Sequence, residues 1–303
     1  MPIHPLLADL LPAVHDWDTW GAALGTLGAG YRLPDVKVED LAVDGPHGPV
    51  AVRLYRPVDR PASGAGLLWA HGGGFAYGDL DMAEAHVVSA ELAARHGIVV
   101  ASVGYRLATP GAGYPVPLDD VDAAWSWFVD AAPSLGVERL GLGGASAGAA
   151  LTGGVAVRVR DRGTRAPDAL LLAYPGMHFP SPALPDEQVD DLRRVPRGIR
   201  FLPDALLPMT LTYLGRLSGV PADAMPGNGD VAGLPPTTVV LSEVDDLRPS
   251  GEVFVLQLQD AGVPTRVMVA AGMLHGHLDI PPVPGLPAIG ESLDFLAAAL
   301  ARD

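Results

Sequence analysis

Apolar and polar positions change their rhythm along this chain, and the changes mark out its elements. Residues 3–30 carry Leu6, Leu7, Leu10, Leu11, Val14, Trp17 and Trp20 at helical spacing, broken by Pro12 and several glycines. That spacing predicts one or two short helices. From Val36 the period drops. Residues 36–43 and 50–55 alternate or run apolar and flank Asp44-Gly45-Pro46-His47-Gly48, a hairpin pattern. A short buried strand is predicted at 67–70, a Gly-rich segment at 72–74, a helix at 81–96 ending at Gly97, and a continuous apolar strand at 98–103. A helix at 117–132, a strand at 140–142, a helix at 147–162 and a strand at 169–173 follow. Residues 176–235 break the rhythm. Prolines crowd both ends, and helical fragments are predicted only around 186–194 and 204–217, as in an insertion. Alternation resumes with strand 237–242, helix 250–261, strand 265–270 and helix 288–301.

Strands alternating with helices predict an α/β fold, a mostly parallel sheet with helices on both faces. The leading hairpin adds antiparallel strands at one edge. No internal repeat and no dividing linker is visible, and 303 residues suit one large α/β unit.

Composition narrows the function classes. Half the residues are apolar (49%) and 18% are charged, which excludes wholesale disorder. A net charge of −15 argues against a nucleic-acid binder and against docking on anionic membranes. The absence of cysteine excludes disulfides and zinc-thiolate sites and fits a reducing compartment, so a cytoplasmic location is expected. The first residues, MPIHPLLADLLPAVHDWD, lack the basic and sustained apolar regions of a signal peptide. No stretch approaches the roughly 18 apolar residues of a spanning helix.

Two motifs carry chemistry. Gly144-Ala145-Ser146-Ala147-Gly148 sits between a strand and a helix, where a tight turn exposes a serine hydroxyl at the sheet edge. Its chance expectation in this composition is about 0.16, so alone it is moderately specific. The bland alternative, a dinucleotide-binding turn, lacks the Gly-x-Gly-x-x-Gly spacing and the following ribose-binding acid. His71-Gly72-Gly73-Gly74-Phe75 directly follows a buried strand, with a chance expectation of about 0.016. A glycine run leaves backbone N–H groups bare, as an oxyanion hole requires. His71 is expected to shape this loop by hydrogen bonds.

A serine needs a base. Chain order in such folds runs serine, acid, histidine, which leaves His178, His275 and His277. His178 comes too early for an acid to intervene. His275 is preferred, a short loop (271–274) after its strand, with His277 as competitor. Glu243, Asp245 and Asp246 all stand past strand 237–242, and spacing does not choose among them. A metal site at His275-Gly276-His277 is disfavoured by the i, i+2 spacing. Asp119, Asp120 and Asp122 lack the pattern of a calcium loop and are expected at a solvated helix start.

Together these stretches resemble the hormone-sensitive lipase-like branch of the α/β-hydrolases, the bacterial family IV carboxylesterases. Gly48–Pro57 is similar to the family's second strand, and Tyr105-Arg106-Leu107-Ala108, Tyr114-Pro115 and Leu118-Asp119-Asp120 match signatures that follow the glycine loop. Asp245-Asp246-Leu247-Arg248 resembles the segment whose first aspartate is the triad acid, and Gly272-Met273-Leu274-His275-Gly276 matches the histidine loop. The resemblance covers about Val36 to the C-terminus and is weakest over 178–232.

It implies an eight-stranded, mostly parallel α/β-hydrolase sheet over residues 36–303. A helical cap would be built from residues 1–35 and an insertion at about 178–220. It implies Ser146 as nucleophile, His275 as base and Asp245 as acid. Oxyanion donors would be the N–H groups of Gly73, Gly74 and Ala147, supported by His71, Gly72, Gly144 and Gly148. No cofactor or metal is implied, and the substrate would be a small, short-acyl ester. The family pattern is also compatible with a homodimer through the last strand or helix. Six residues at four places depart from it. Ala145 replaces an aspartate, Thr109-Pro110 a Pro-Glu pair, Pro249-Ser250 an Asp-Glu pair, and His277 a phenylalanine, for which a surface position is expected. Two rival readings keep the fold: hydrolysis of an amide, lactone or other activated carbonyl, and a non-catalytic small-molecule binder.

Overall fold

The computed structural model describes residues 3–301. Eight strands form one sheet: β1 (Val36–Val43), β2 (Val50–Pro57), β3 (Ala65–Ala70), β4 (Val99–Gly104), β5 (Arg139–Ala145), β6 (Ala169–Ala173), β7 (Thr237–Val244) and β8 (Thr265–Leu274). Their order is β1-β2-β4-β3-β5-β6-β7-β8. β2 pairs antiparallel with both β1 and β4, and every later pairing is parallel. The mixed sheet therefore has its antiparallel strands at one edge, where the hairpin pattern put them.

Side chains alternate along each strand and so feed two separate cores. Leu68, Ala101, Leu142, Leu172 and Leu241 point into one. Leu67, Trp69, Val100, Leu171 and Val240 point into the other. The first core is closed by α4 (Val116–Ala131), α5 (Ala147–Arg162) and α8 (Arg248–Asp260), the second by α3 (Ala83–His96) and α9 (Pro287–Ala297). Strands buried on both faces read as continuous apolar runs, which is why 98–103 and 169–173 show no polar alternation.

The N-terminal segment forms α1 (Pro5–Ala8), a 3-10 turn and α2 (Trp17–Leu27). Asp16 and Thr19 cap α2 reciprocally, each side chain taking the other's backbone N–H. Ahead of α1, the His4 N–H donates to Gly272 O at 2.9 Å, tying this end to the last turn of β8. Residues 176–235 contain α6 (Asp186–Leu192), α7 (Pro203–Leu214) and short 3-10 turns, and no strand. The two segments meet directly. A side chain at Gly198 would strike His15 O at 1.8 Å, and the Trp17 and Phe201 rings lie 5.2 Å apart.

Two expectations need correction. The β8 strand does not end at residue 270. A register shift between Ser242 and Val244 lets it continue to Leu274, opposite Val244, so His275 stands at a strand end rather than after a loop. The start of α4 is not solvated either: Asp120 and Asp122 are buried, with Arg106 at 2.5 Å from Asp120 and Arg162 at 2.6 Å from Asp122. Arginines from β4's end and from α5 reach these carboxylates, so the aspartates knit elements together. No described helix is long and apolar enough to cross a membrane.

Candidate active site

Ser146 is the hinge between β5 and α5. It holds φ +52° and ψ −116°, a conformation non-glycine residues rarely adopt. The turn persists because it is over-determined. Ser146 N–H donates to Ala173 O at 2.9 Å, and Gly148 packs so closely that a Cβ there would lie 2.2 Å from Ala70 O. The hydroxyl is thereby held at the C-terminal edge of the parallel strands, where α/β sheets place their sites.

His275, at the end of β8, puts Nε2 2.8 Å from Ser146 Oγ, and its Nδ1 lies 2.7 Å from Asp245 Oδ2. Asp245 is 1% and His275 9% exposed in their side chains, so the series is shielded from water. The other Asp245 oxygen accepts the Leu247 N–H at 2.8 Å, which fixes the carboxylate's orientation. A hydroxyl, an imidazole and a carboxylate in this series can draw a proton from oxygen and stabilise the imidazolium that results.

The structure separates the three neighbouring acids that spacing left open. Glu243 accepts the Gly272 N–H at 2.7 Å and so braces β8. Asp245 faces His275. Asp246 turns away, to Arg200 at 2.7 Å and to the Phe201 N–H at 3.0 Å.

The two histidines are separated as sharply. His277 is not at the surface but fully buried, 1% exposed. The left-handed turn at Gly276 (φ +75°) sends it beneath the sheet edge, between β7 and α9. Its Nδ1 lies 2.9 Å from Ser242 Oγ and its Nε2 3.1 Å from Ser292 Oγ. Ser292 spends its own proton on Ala288 O, so Nε2 carries the imidazole hydrogen and Nδ1 accepts from Ser242. Burial, with the neighbouring His275 charge, pushes the His277 pKa down to about 3. His277 therefore remains neutral, and its ring nitrogens bond serines of β7 and α9 rather than Ser146 or Asp245.

The glycine loop lies opposite. Gly73 adopts φ +97° with its α-carbon so close to the chain that a Cβ would sit 2.1 Å from Tyr77 O. Among the described residues, the N–H groups of Gly73, Gly74 and Ala147 have no acceptor in the protein. Such unspent donors beside a serine hydroxyl are what a developing oxyanion needs. His71 is wholly buried, stacks on Tyr105 at 4.5 Å and places Nδ1 2.8 Å from Gly72 O, with desolvation lowering its pKa. It is a strut of the loop.

A cavity of about 330 Å³ opens from Ser146. Phe75, Phe179, Pro203, Leu206, Leu207, Met209 and Leu247 line it, and none of its lining residues is Asp, Glu, Lys or Arg. Its polar side chains other than Ser146 are His178, Ser181, Thr210 and Ser250. Burial lowers the His178 pKa and favours a neutral ring, which bonds Ser250 Oγ at 2.9 Å. Ser250 also takes the Met177 N–H at 2.8 Å. A larger hollow of about 720 Å³ lies elsewhere, among Asp119, Asp122, Arg158, Arg162 and Asp223. Its charges are spent on one another, as in Arg158 to Asp223 at 2.8 Å, and it holds no activated nucleophile.

Sequence reasoning missed several residues around the site. Phe201 and Tyr174 set their rings edge-on to His275, at 4.6 and 5.0 Å. Glu84 lies under the glycine loop. Met209, from α7, closes on Gly74, where a Cβ would meet its sulfur at 2.2 Å. Tyr174 alone had a signal, since it directly follows a parallel strand at its C-terminal end. Glu84 reads in sequence as an ordinary acid in a helix's first turn.

Comparison with known proteins identifies the family. A family model described as alpha/beta hydrolase fold matches residues 67–279. Esterase LipI of Mycobacterium tuberculosis is 33% identical over 256 residues, covering 81% of this chain and 76% of that protein. Ethyl acetate hydrolase of Pseudomonas putida is 33% identical over 289 residues, covering 91% and 84%. The crystal structure of a hyperthermophilic esterase from Pyrobaculum calidifontis superposes with a TM-score of 0.85 at 27% identity, covering 99% of this chain and 98% of that one. With the eight-stranded sheet, the serine turn and the glycine loop all in place, the chain belongs to the hormone-sensitive lipase-like carboxylesterases of the α/β-hydrolase superfamily.

Proposed function

We propose that this protein is a serine hydrolase of small, neutral, short-acyl carboxylic esters, acting through an acyl-enzyme. The observation that carries the reading is the unbroken series Ser146 Oγ–His275–Asp245, with contacts of 2.8 and 2.7 Å. Ser146 attacks the ester carbonyl while His275 Nε2 takes its proton. Asp245 holds the imidazole in the tautomer that leaves Nε2 free to accept, and stabilises the cation. The N–H groups of Gly73, Gly74 and Ala147 receive the carbonyl oxygen as it becomes an oxyanion. His275 then returns the proton to the departing alcohol. Water repeats the sequence on the acyl-serine and releases the acid.

The cavity supports the substrate class. A space of about 330 Å³ without a charged wall suits an uncharged acyl or alcohol group and penalises a free carboxylate, which would be desolvated without a partner. The relatives' activities, esterase and ethyl acetate hydrolase, support the same substrate class. Initial rates on p-nitrophenyl esters from acetate to dodecanoate, with Ser146→Ala alongside, test the reading. The expected result is a maximum at short chains that Ser146→Ala abolishes in a folded protein. Turnover retained by Ser146→Ala would overturn it. The exposed Val267 and Val269 on edge strand β8 support a homodimer in the same proposal, and sedimentation velocity checks it.

A further inference from the structure

Beneath the glycine loop lies a carboxylate that the hydrolysis as described does not use. Glu84, in the first turn of α3, is 2% exposed. Its Oε2 accepts the Gly72 N–H and its Oε1 accepts the Tyr174 hydroxyl. Its main chain is held at both ends as well. The carbonyl accepts the Trp69 indole N–H at 2.9 Å, and the N–H donates to Asp279 Oδ1 at 3.1 Å. Asp279 lies on the short turn that follows His275, so one side chain of that turn caps α3 from across the fold.

Both partners of the Glu84 carboxylate touch the reacting groups. Gly72 opens the oxyanion loop, and a Cβ there would lie 2.6 Å from Glu84 Oε2 and 3.0 Å from Ser146 Cβ. Tyr174 has a positive φ of +34° and sets its ring edge-on to His275, 5.0 Å between centroids. A purely structural site would accept an amide or a hydroxyl. A buried acid is costly unless its charge is used.

We propose, given the ester-hydrolase reading, that Glu84 is a positioning residue. Its carboxylate ties the base of the oxyanion loop to the Tyr174 ring and places a second negative charge behind the His275 imidazolium. It acts through these neighbours and touches no substrate. Burial raises the Glu84 pKa, while the Tyr174 and Gly72 donors and the His275 charge oppose that rise. The Asp279 pKa is raised as well, by burial and by the charge of Glu84, with the Glu84 N–H opposing. The Glu84 carboxylate accepts from two donors and Asp279 Oδ1 from one, so the hydrogen bonds favour the negative charge on Glu84. Among the described residues, Asp245, His277 and Glu84 surround His275, and Tyr174, Tyr105 and Asp279 surround Glu84.

The test compares wild type, Glu84→Gln, Tyr174→Phe and Ser146→Ala on p-nitrophenyl butyrate, with kcat and KM measured from pH 5 to 9. Removing the negative charge makes the imidazolium easier to deprotonate, so the acid limb of kcat/KM moves to lower pH. For Glu84→Gln we expect kcat to fall tenfold or more, roughly as for supporting hydrogen bonds at other sites, with KM nearly unchanged. The acid limb should move down by about half a pH unit or more. Tyr174→Phe removes a donor that holds the Glu84 pKa down, so Glu84 carries less of its charge at the acid limb and the limb should shift in the same direction by less. Wild-type kcat and an unmoved limb in Glu84→Gln overturn the proposal, as does a rise in KM alone. If Glu84→Gln does not fold, Tyr174→Phe with wild-type kcat and limb overturns it equally. Absence of Ser146-dependent turnover in wild type would instead be a failure of the ester-hydrolase reading.

Discussion

Asp246→Ala probes how the residues over the site are held to the sheet. Asp246 accepts from Arg200 Nη2 at 2.7 Å, from Arg200 Nε at 3.2 Å and from the Phe201 N–H at 3.0 Å. The two side chains are 14% and 5% exposed. Removing one member of a buried pair costs about 3–5 kcal/mol, because the other is left desolvated. Arg200 is close enough to the surface to recover some hydration, so the lower end, about 3 kcal/mol, applies. If the segment and the sheet unfold together, a chain of this length has an unfolding entropy of roughly 0.6 kcal/mol/K, and Tm falls by about 5 °C. If the segment opens alone, its open population rises by roughly 100-fold, since each 1.4 kcal/mol is a factor of ten. Limited trypsinolysis reads that opening directly, because Arg193, Arg194 and Arg197 lie in the segment. Phe201 would also lose its fixed distance of 4.6 Å from His275, so kcat/KM should drop by about tenfold. An Asp246→Ala protein that melts within a degree of wild type and is cut at the wild-type rate would refute the argument.

Two further outcomes follow from contacts already described. His277 is neutral when folded, with a pKa near 3, while in the unfolded chain it titrates near 6.5. Above pH 6.5 it has no effect on stability; as pH falls towards 3 the unfolded state takes up a proton the folded state refuses. The loss reaches on the order of 4–5 kcal/mol. His277→Gln should therefore lose less thermal stability than wild type between pH 7 and pH 4, and equal slopes would sink this account. Gly148→Ala puts a methyl 2.2 Å from Ala70 O and 2.3 Å from His71 O, both main-chain atoms that cannot yield. It should give no soluble folded protein, and a wild-type circular dichroism spectrum would contradict the packing described.

Local features of the sequence carry the sheet well and the surroundings of the site poorly. Leu67–Ala70, 98–103 and 169–173 are legible because strands buried on both faces cannot afford polar residues. The serine turn is legible because only glycine fits against Ala70 and His71. What joins distant chain segments is not. Nothing around Phe201 says that it will face His275, since its place depends on the Arg200–Asp246 pair and on Trp17. The same limit explains His277: a polar residue two places from a candidate base reads as exposed, and only the Gly276 turn and two buried serines make it internal. Spacing also could not foresee the bulge near Ser242, which lengthens β8 and brings His275 to the strand end. Glu84 was hidden for the opposite reason, because an acid in a helix's first turn has an ordinary explanation.

The hydrogen bond from His4 to Gly272 has a practical side. Whatever is joined to the chain ahead of Ile3 is mechanically coupled, through one main-chain contact of 2.9 Å, to the turn bearing His275. A purification handle or a solid support attached there would pull on the strand end that carries His275. At the other end Leu300 packs where a Cβ on Gly141 would come within 2.8 Å of it, near the start of β5 and a full strand away from Ser146. Immobilisation through that end leaves the Ser146–His275–Asp245 contacts unstressed, so the two orientations of one tethered enzyme should differ in turnover rather than in affinity.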